Sequence, residues 1–252
     1  MEVLLVCAQN SYFLLELRAD LDTLRLTCKP VREAVPKTFV RRNLACIRAA
    51  RSSLAELMYA HQMGFPWNPK TCSEAATWGR RECLQYAHEN GCRWDEDTTW
   101  AAARHGHLGC LEYAHQNGCR MDPKTCWTAA RHGHLGCLEY AHRNGCPMDS
   151  KTCSTAARHC HLGCLKYAHQ NGCPMDESVC WESSYFGHVE CMKYAHQNGC
   201  ALPPDLCWKM AFCGYFECLK YAHENGCPLT ATVAFAAEEG GDIDCMNYVY
   251  QN

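Results

Sequence analysis

Cysteine and histidine are the residues of this chain with the most chemical reach, and both recur at fixed intervals. The chain holds 23 cysteines and 14 histidines in 252 residues. One cysteine series runs Cys83, Cys110, Cys137, Cys164, Cys191, Cys218 and Cys245. A second runs Cys92, Cys119, Cys146, Cys173, Cys200 and Cys227, and a third Cys72, Cys126, Cys153, Cys180 and Cys207. His107, Cys110 and Cys119 recur as a set of the residue types that bind zinc. A tetrahedral site needs four side chains converging in one layer, and the paired C-x-x-C spacing that marks such sites is missing. The densest cluster, Cys160-His161 with Cys164, occurs in one copy, where Cys160 replaces a turn glycine. Neither a metal nor a cofactor is expected.

Catalysis has as little footing. The chain contains no G-x-S-x-G, phosphate-loop or H-E-x-x-H motif. Cysteine beside histidine recurs in every copy, and an enzyme rarely multiplies its nucleophile along a rod. No catalytic residue is assigned and no enzyme is expected. A redox role would require a thiol with a depressed pKa.

The elements that must position these residues follow from their interval. The Cys83 series keeps a strict 27-residue period, and a tyrosine three residues on keeps step from Tyr59 through Tyr86 and Tyr113 to Tyr248. Self-similarity at such a period marks a solenoid or array. One copy cannot bury its own apolar face, so copies must stack. Equivalent positions on packed helices lie about 8–10 Å apart, whereas a disulfide needs Cα atoms within about 7 Å. Neighbours within one series are therefore read as reduced thiols acting as small apolar core residues, in a cytoplasmic or nuclear protein. Net charge is −3, which gives no basic surface for nucleic acid or a membrane. No apolar run approaches the roughly 18 residues of a membrane span. The N-terminus lacks the basic start of a signal peptide.

One copy reads helix–turn–helix–loop. Asp122 and Pro123 start the first helix, as N-cap and first-turn proline. Cys126, Ala129 and Ala130 form a small inner face, and Gly133 stops the helix. The second helix carries Leu135, Cys137, Leu138 and Ala141 at helical spacing and stops at Asn144-Gly145. Tryptophans at Trp100, Trp127, Trp181 and Trp208 share one register and read as packing between copies. The histidines after each Tyr-Ala, such as His142 and His169, read as helix-edge residues bonded to backbone carbonyls. Residues 41–252 thus form about eight helix pairs, worn at both ends, and residues 1–40 stand apart as a helical cap or head.

The repeated string AA-x-x-GHL-x-C-L-x-Y-A-x-x-NG-C resembles the ankyrin repeat over about 200 residues. The resemblance implies an all-α solenoid of stacked antiparallel helix pairs. Ankyrin repeats run about 33 residues, and the missing residues fall where that family places its β-hairpins, which are therefore expected to be shortened or absent. The arrangement is similar to the cysteine-rich short ankyrin arrays of large DNA viruses and some protists. The segment Asp20 to Val35 resembles the second half of an F-box. That resemblance implies a ligase-docking role for Leu21, Leu24, Leu26 and Cys28, with the small linker subunit of cullin-type ligases as partner. A plain helical cap over the first copy reads equally well.

Copies differ mainly just after the alanine pair of the first helix. Arg104-His105, Arg131-His132 and Arg158-His159 are followed by Tyr185 and Phe212. By analogy with ankyrin this end faces a concave groove, which would suit a protein partner with an acidic stretch ending in apolar side chains. A solvated face left alike by recent duplication is the alternative. The functions that follow are a substrate adaptor of a ubiquitin ligase, a plain scaffold or decoy, or a metal- or redox-responsive rod.

Overall fold

The computed structural model describes residues 45–252. Leu21, Leu24, Leu26 and Cys28 lie outside the described residues, with the rest of the head. The described part contains sixteen α-helices, one short 3₁₀ turn and no strand. Two compact units divide it. One runs to Ala102 and includes Gly109–Arg120; the other comprises Ala103–Leu108 and Met121–Asn252.

The first unit holds α1 (Ala45–Ser52), α2 (Leu54–Gln62), α3 (Lys70–Thr77) and α4 (Arg81–Glu89), with most of α5 (Glu96–Arg104) and α6 (Leu108–Gln116). Here α1 packs on α2 and α3, α3 on α4, and α2 on α4. The second unit continues with α7 (Thr125–Arg131), α8 (Leu135–Arg143), α9 (Ser150–Arg158), α10 (Leu162–Gln170), α11 (Glu177–Tyr185) and α12 (Val189–Gln197). It ends with α13 (Cys207–Phe212), α14 (Phe216–Glu224), α15 (Ala231–Gly240) and α16 (Ile243–Gln251). Odd-numbered helices pack on odd and even on even, α7 on α9 on α11 on α13 on α15, beside α8 on α10 on α12 on α14 on α16. Each unit is thus a two-layer stack of helix pairs, which is the solenoid that the period demands.

Small side chains let the first-helix layer close up. Ala129, Ala130, Ala156 and Ala157 are fully buried, and Ser183 and Ser184 take the same places in α11. The second-helix layer supplies larger ones: Leu138, Leu165, Met192 and Leu219 have no exposure. Each stabilises the stack by about 2–3 kcal/mol.

The turns are made by the residues the sequence marks. Asp149 accepts from the Thr152 N–H at 3.2 Å and closes a reciprocal capping box. Asp122 acts earlier than expected: its carboxylate takes the Lys124 N–H, and α7 begins only at Thr125, because Pro123 and Lys124 form a turn of their own. Asn144 donates from Nδ2 to the Tyr140 carbonyl at 2.8 Å, tying off α8. Gly133 has φ 76°, and a Cβ there would come within 2.5 Å of the His161 ring of the next copy. Both the left-handed backbone and the close approach require glycine. Cys160 occupies the same register at φ 63°, alone among described non-glycine residues.

Candidate functional site

The eight residues singled out for partner binding all lie in the second unit, at the last turn of first helices or just beyond it. Arg104, His105, Arg131, His132, Arg158, His159 and Phe212 are exposed, and Tyr185 is half-buried. Successive first helices pack directly on one another from α7 to α15, so the ends from Arg131 to Phe212 form one row, and His134 bonds to the Arg104 carbonyl at its start.

The arginines in this row are not equivalent. Arg158 reaches Glu182 of the next copy at 3.4 Å and lies 4.9 Å over the Phe186 ring. Arg131 has no carboxylate within ion-pair distance among the described residues, so its guanidinium faces solvent with its donors open to a ligand. Histidine rings fill the spaces between. His132 stacks against His134, and His159 against His161, each with centroids 6.4 Å apart. His134 Nε2 in turn lies 3.2 Å from the Arg104 carbonyl, and His188 Nε2 lies 3.0 Å from that of Arg158. These bonds occupy first-helix carbonyls that the turn leaves without an intrahelical partner.

Burial depresses the pKa of His132, and the charges of Arg104 and Arg131 depress it further. His159 is lowered in the same way, by burial first and then by Arg131 and Arg158. The row is thus a line of fixed positive charges interleaved with imidazoles, of which His132 and His159 are made harder to protonate. An arriving anion would relieve both.

Beyond Arg158 the row turns apolar. Trp181 stacks on Tyr185 with centroids 4.8 Å apart and planes 12° from parallel. Lys209 places its ammonium 5.0 Å over the Tyr185 ring and 5.8 Å over that of Phe212. Trp208, Phe212 and Phe235, with Glu239 at the rim, line an open groove of about 520 Å³ between α13 and α15. Phe235 is 64% exposed. The tryptophan register therefore splits. Trp100 and Trp127 are half-buried, whereas Trp181 and Trp208 stand 42% and 45% exposed. Phe235 and Lys209 were not marked by the sequence reading, and Trp208 was marked only as packing between copies. The available signal was an aromatic one turn before the variable position in the copies where arginine gives way to tyrosine or phenylalanine.

The second-helix histidines do something other than expected. They bond to tyrosine hydroxyls of the following copy and not to backbone carbonyls: His61 to Tyr86, His169 to Tyr194, His196 to Tyr221 and His223 to Tyr248, each at 2.9 Å, and His88 to Tyr113 and His142 to Tyr167 at 3.1 Å. Burial raises the Tyr167 and Tyr194 phenols, which keeps the protons on their hydroxyls. In the first unit Trp94 stacks on His88 at 3.7 Å and Trp67 tilts over His61 at 4.5 Å. Among the described residues no group of three or more histidine, cysteine or acidic side chains converges to hold a metal ion. No described helix is long and apolar enough to cross a membrane.

Alanine-rich first helices, glycine-closed turns and a two-layer stack of short helix pairs define an ankyrin-type repeat fold without its hairpins. The comparisons agree on the fold. The crystal structure of the human ASB11 ankyrin repeat domain superposes with a TM-score of 0.58 at 15% identity, over 71% of this chain and 96% of that one. No protein-family model and no curated protein matches the chain.

Proposed function

We propose that the second unit is a protein-binding module, and that the row of first-helix ends is its docking surface. The observation that carries this reading is the order of chemistry along the row: the open guanidinium of Arg131, then the charge-to-aromatic junction at Arg158 and Phe186, then the exposed aromatics Trp181, Phe212 and Phe235. Solvent-facing aromatics cost solubility, and a cluster of them beside arginine is the usual make-up of a binding hot spot. The fitting partner is a segment with carboxylates followed by apolar side chains. Its carboxylates meet Arg104 and Arg131, and its apolar end enters the groove at Phe212.

A synthetic peptide of four glutamates followed by Leu-Phe-Leu, labelled for fluorescence anisotropy, tests this. Saturable binding that weakens in Phe212→Ala and in Arg131→Glu supports the surface. Equal binding of the peptide with its two blocks reversed sinks the directional reading.

The F-box-like head extends the proposal to a substrate adaptor: Leu21, Leu24, Leu26 and Cys28 would dock the linker subunit of a cullin-type ligase while the repeats hold the target. A pull-down of the intact chain with that subunit separates adaptor from plain scaffold. Retention, lost on changing Leu24 and Leu26 to Ser, supports the adaptor; no retention leaves a scaffold or decoy.

A further inference from the structure

The cysteine series of the sequence interlock in space. In α7 the Cys126 thiol sits 3.5 Å from the carbonyl of Cys146, twenty residues on. The same arrangement joins Cys180 to Cys200, with thiol to carbonyl at 3.6 Å. Cys72 and Cys92, Cys153 and Cys173, and Cys207 and Cys227 hold the same two positions, twenty residues apart, in their own copies. Each pair links a first helix to the loop that follows its own second helix. The first-helix member has no solvent exposure, while the loop member keeps 3–5%.

We propose that these five pairs are latent disulfides, each closed by a peroxide within its own copy and reopened by a dithiol reductant. The loop cysteine is the first to react, because it lies nearer the surface. For Cys146, the neighbouring Cys126 thiol, with the backbone N–H groups of Cys126 and Thr125, pulls the pKa down to about 7 against the push of burial. Cys227 is lowered to about 7, chiefly by Cys207. The exception is Cys200, which burial raises, so its pair closes last.

The chemistry balances with one peroxide per pair. The loop thiolate attacks a peroxide oxygen and the O–O bond breaks. The departing hydroxide takes a proton to become water, and the sulfur becomes a sulfenic acid. The first-helix thiol gives up its proton and attacks that sulfur. The S–S bond forms, the S–O bond breaks and a second water leaves. Two electrons pass from two thiols to one peroxide.

Two copies supply their own controls. In the copy built on α5, Thr99 replaces the first-helix cysteine and bonds to the Arg120 carbonyl at 2.9 Å, so Cys119 has no thiol partner in its copy. Without that partner burial pushes Cys119 up to about 11. In the first copy Phe65 replaces the loop cysteine, leaving Cys46 against the Phe65 carbonyl at 3.7 Å.

The test treats the folded full chain with hydrogen peroxide, quenches in acid, unfolds it in N-ethylmaleimide and digests with trypsin without reductant. The expected product joins the peptides of residues 125–131 and 144–151, about 2 Da lighter than the two free thiol peptides together, and dithiothreitol separates them. Cys119 forms no link within its copy, and the Thr99→Cys variant gains one. The exposed Cys160 reports the dose. Recovery of both peptides as maleimide adducts, at a dose that oxidises Cys160, overturns the proposal. So does a predominance of links between different copies.

Discussion

Two sets of histidines in the second unit sit a few residues apart and behave differently. His142, His169, His196 and His223 on the second helices each meet a tyrosine hydroxyl of the next copy. His132 and His159 at the first-helix ends are exposed, but partial desolvation and the neighbouring arginines lower their pKa. The first set is invariant from copy to copy because its partner is another part of the same repeat. The second gives way to Phe186 and Cys213 along the array, which is what a surface fitted to something outside the chain would do. Identity across copies marks construction here, and departure from it marks the proposed docking row.

That contrast breaks down unless construction residues control stability and row residues control binding. The largest stability effect is expected at Gly133. Gly133→Ala should cost about 2–4 kcal/mol in urea unfolding, since it adds a Cβ against the His161 ring in left-handed backbone. The same register gives the opposite sign at Cys160: Cys160→Gly should stabilise by about 1 kcal/mol by relieving its positive φ. Phe212→Ala should weaken the Glu-Leu-Phe-Leu probe peptide by about 2 kcal/mol while moving the unfolding midpoint little, because the side chain is exposed. A fall in stability of the size seen at Gly133 would erase the distinction. Tyr167→Phe should cost about 1 kcal/mol of stability and nothing in binding, and a double-mutant cycle with His142→Ala should show coupling.

The smallest effect is with pH. His132 and His159 are lowered in the free protein, and carboxylates of a bound peptide would raise them again. Binding then takes up protons, so affinity should rise about two- to threefold as pH falls from 7.5 to 6 and level off at higher pH. Flat affinity over that range would place the carboxylates elsewhere.

The period, the helix pairs and the glycine stops were legible in the residues, because each depends on local spacing. So was the expectation of shortened or absent hairpins, which follows from the repeat length, and no strand occurs among the described residues. What was not legible depends on how copies are offset. The His142–Tyr167 bond spans 25 residues and the Cys126–Cys146 contact 20, and neither equals the 27-residue period. Comparing equal positions in adjacent copies, as a period invites, misses both. It weighed bridging only between neighbours of one cysteine series, whereas Cys126 and Cys146 of different series meet within one copy. Trp181 and Trp208 share a register with Trp127, and only the copies' own surroundings separate an exposed ring from a half-buried one.

The histidine–tyrosine ladder has a consequence for how such a chain changes over time. Each copy offers a phenol on one side and an imidazole on the other, like a plug and a socket of one gauge. Removing or duplicating a unit of 27 residues re-mates the same two groups and strands neither. The array can therefore lengthen, shorten or shuffle its order in a single recombination event without a stability penalty at the junction. The row of first-helix ends would be rewritten at that same stroke.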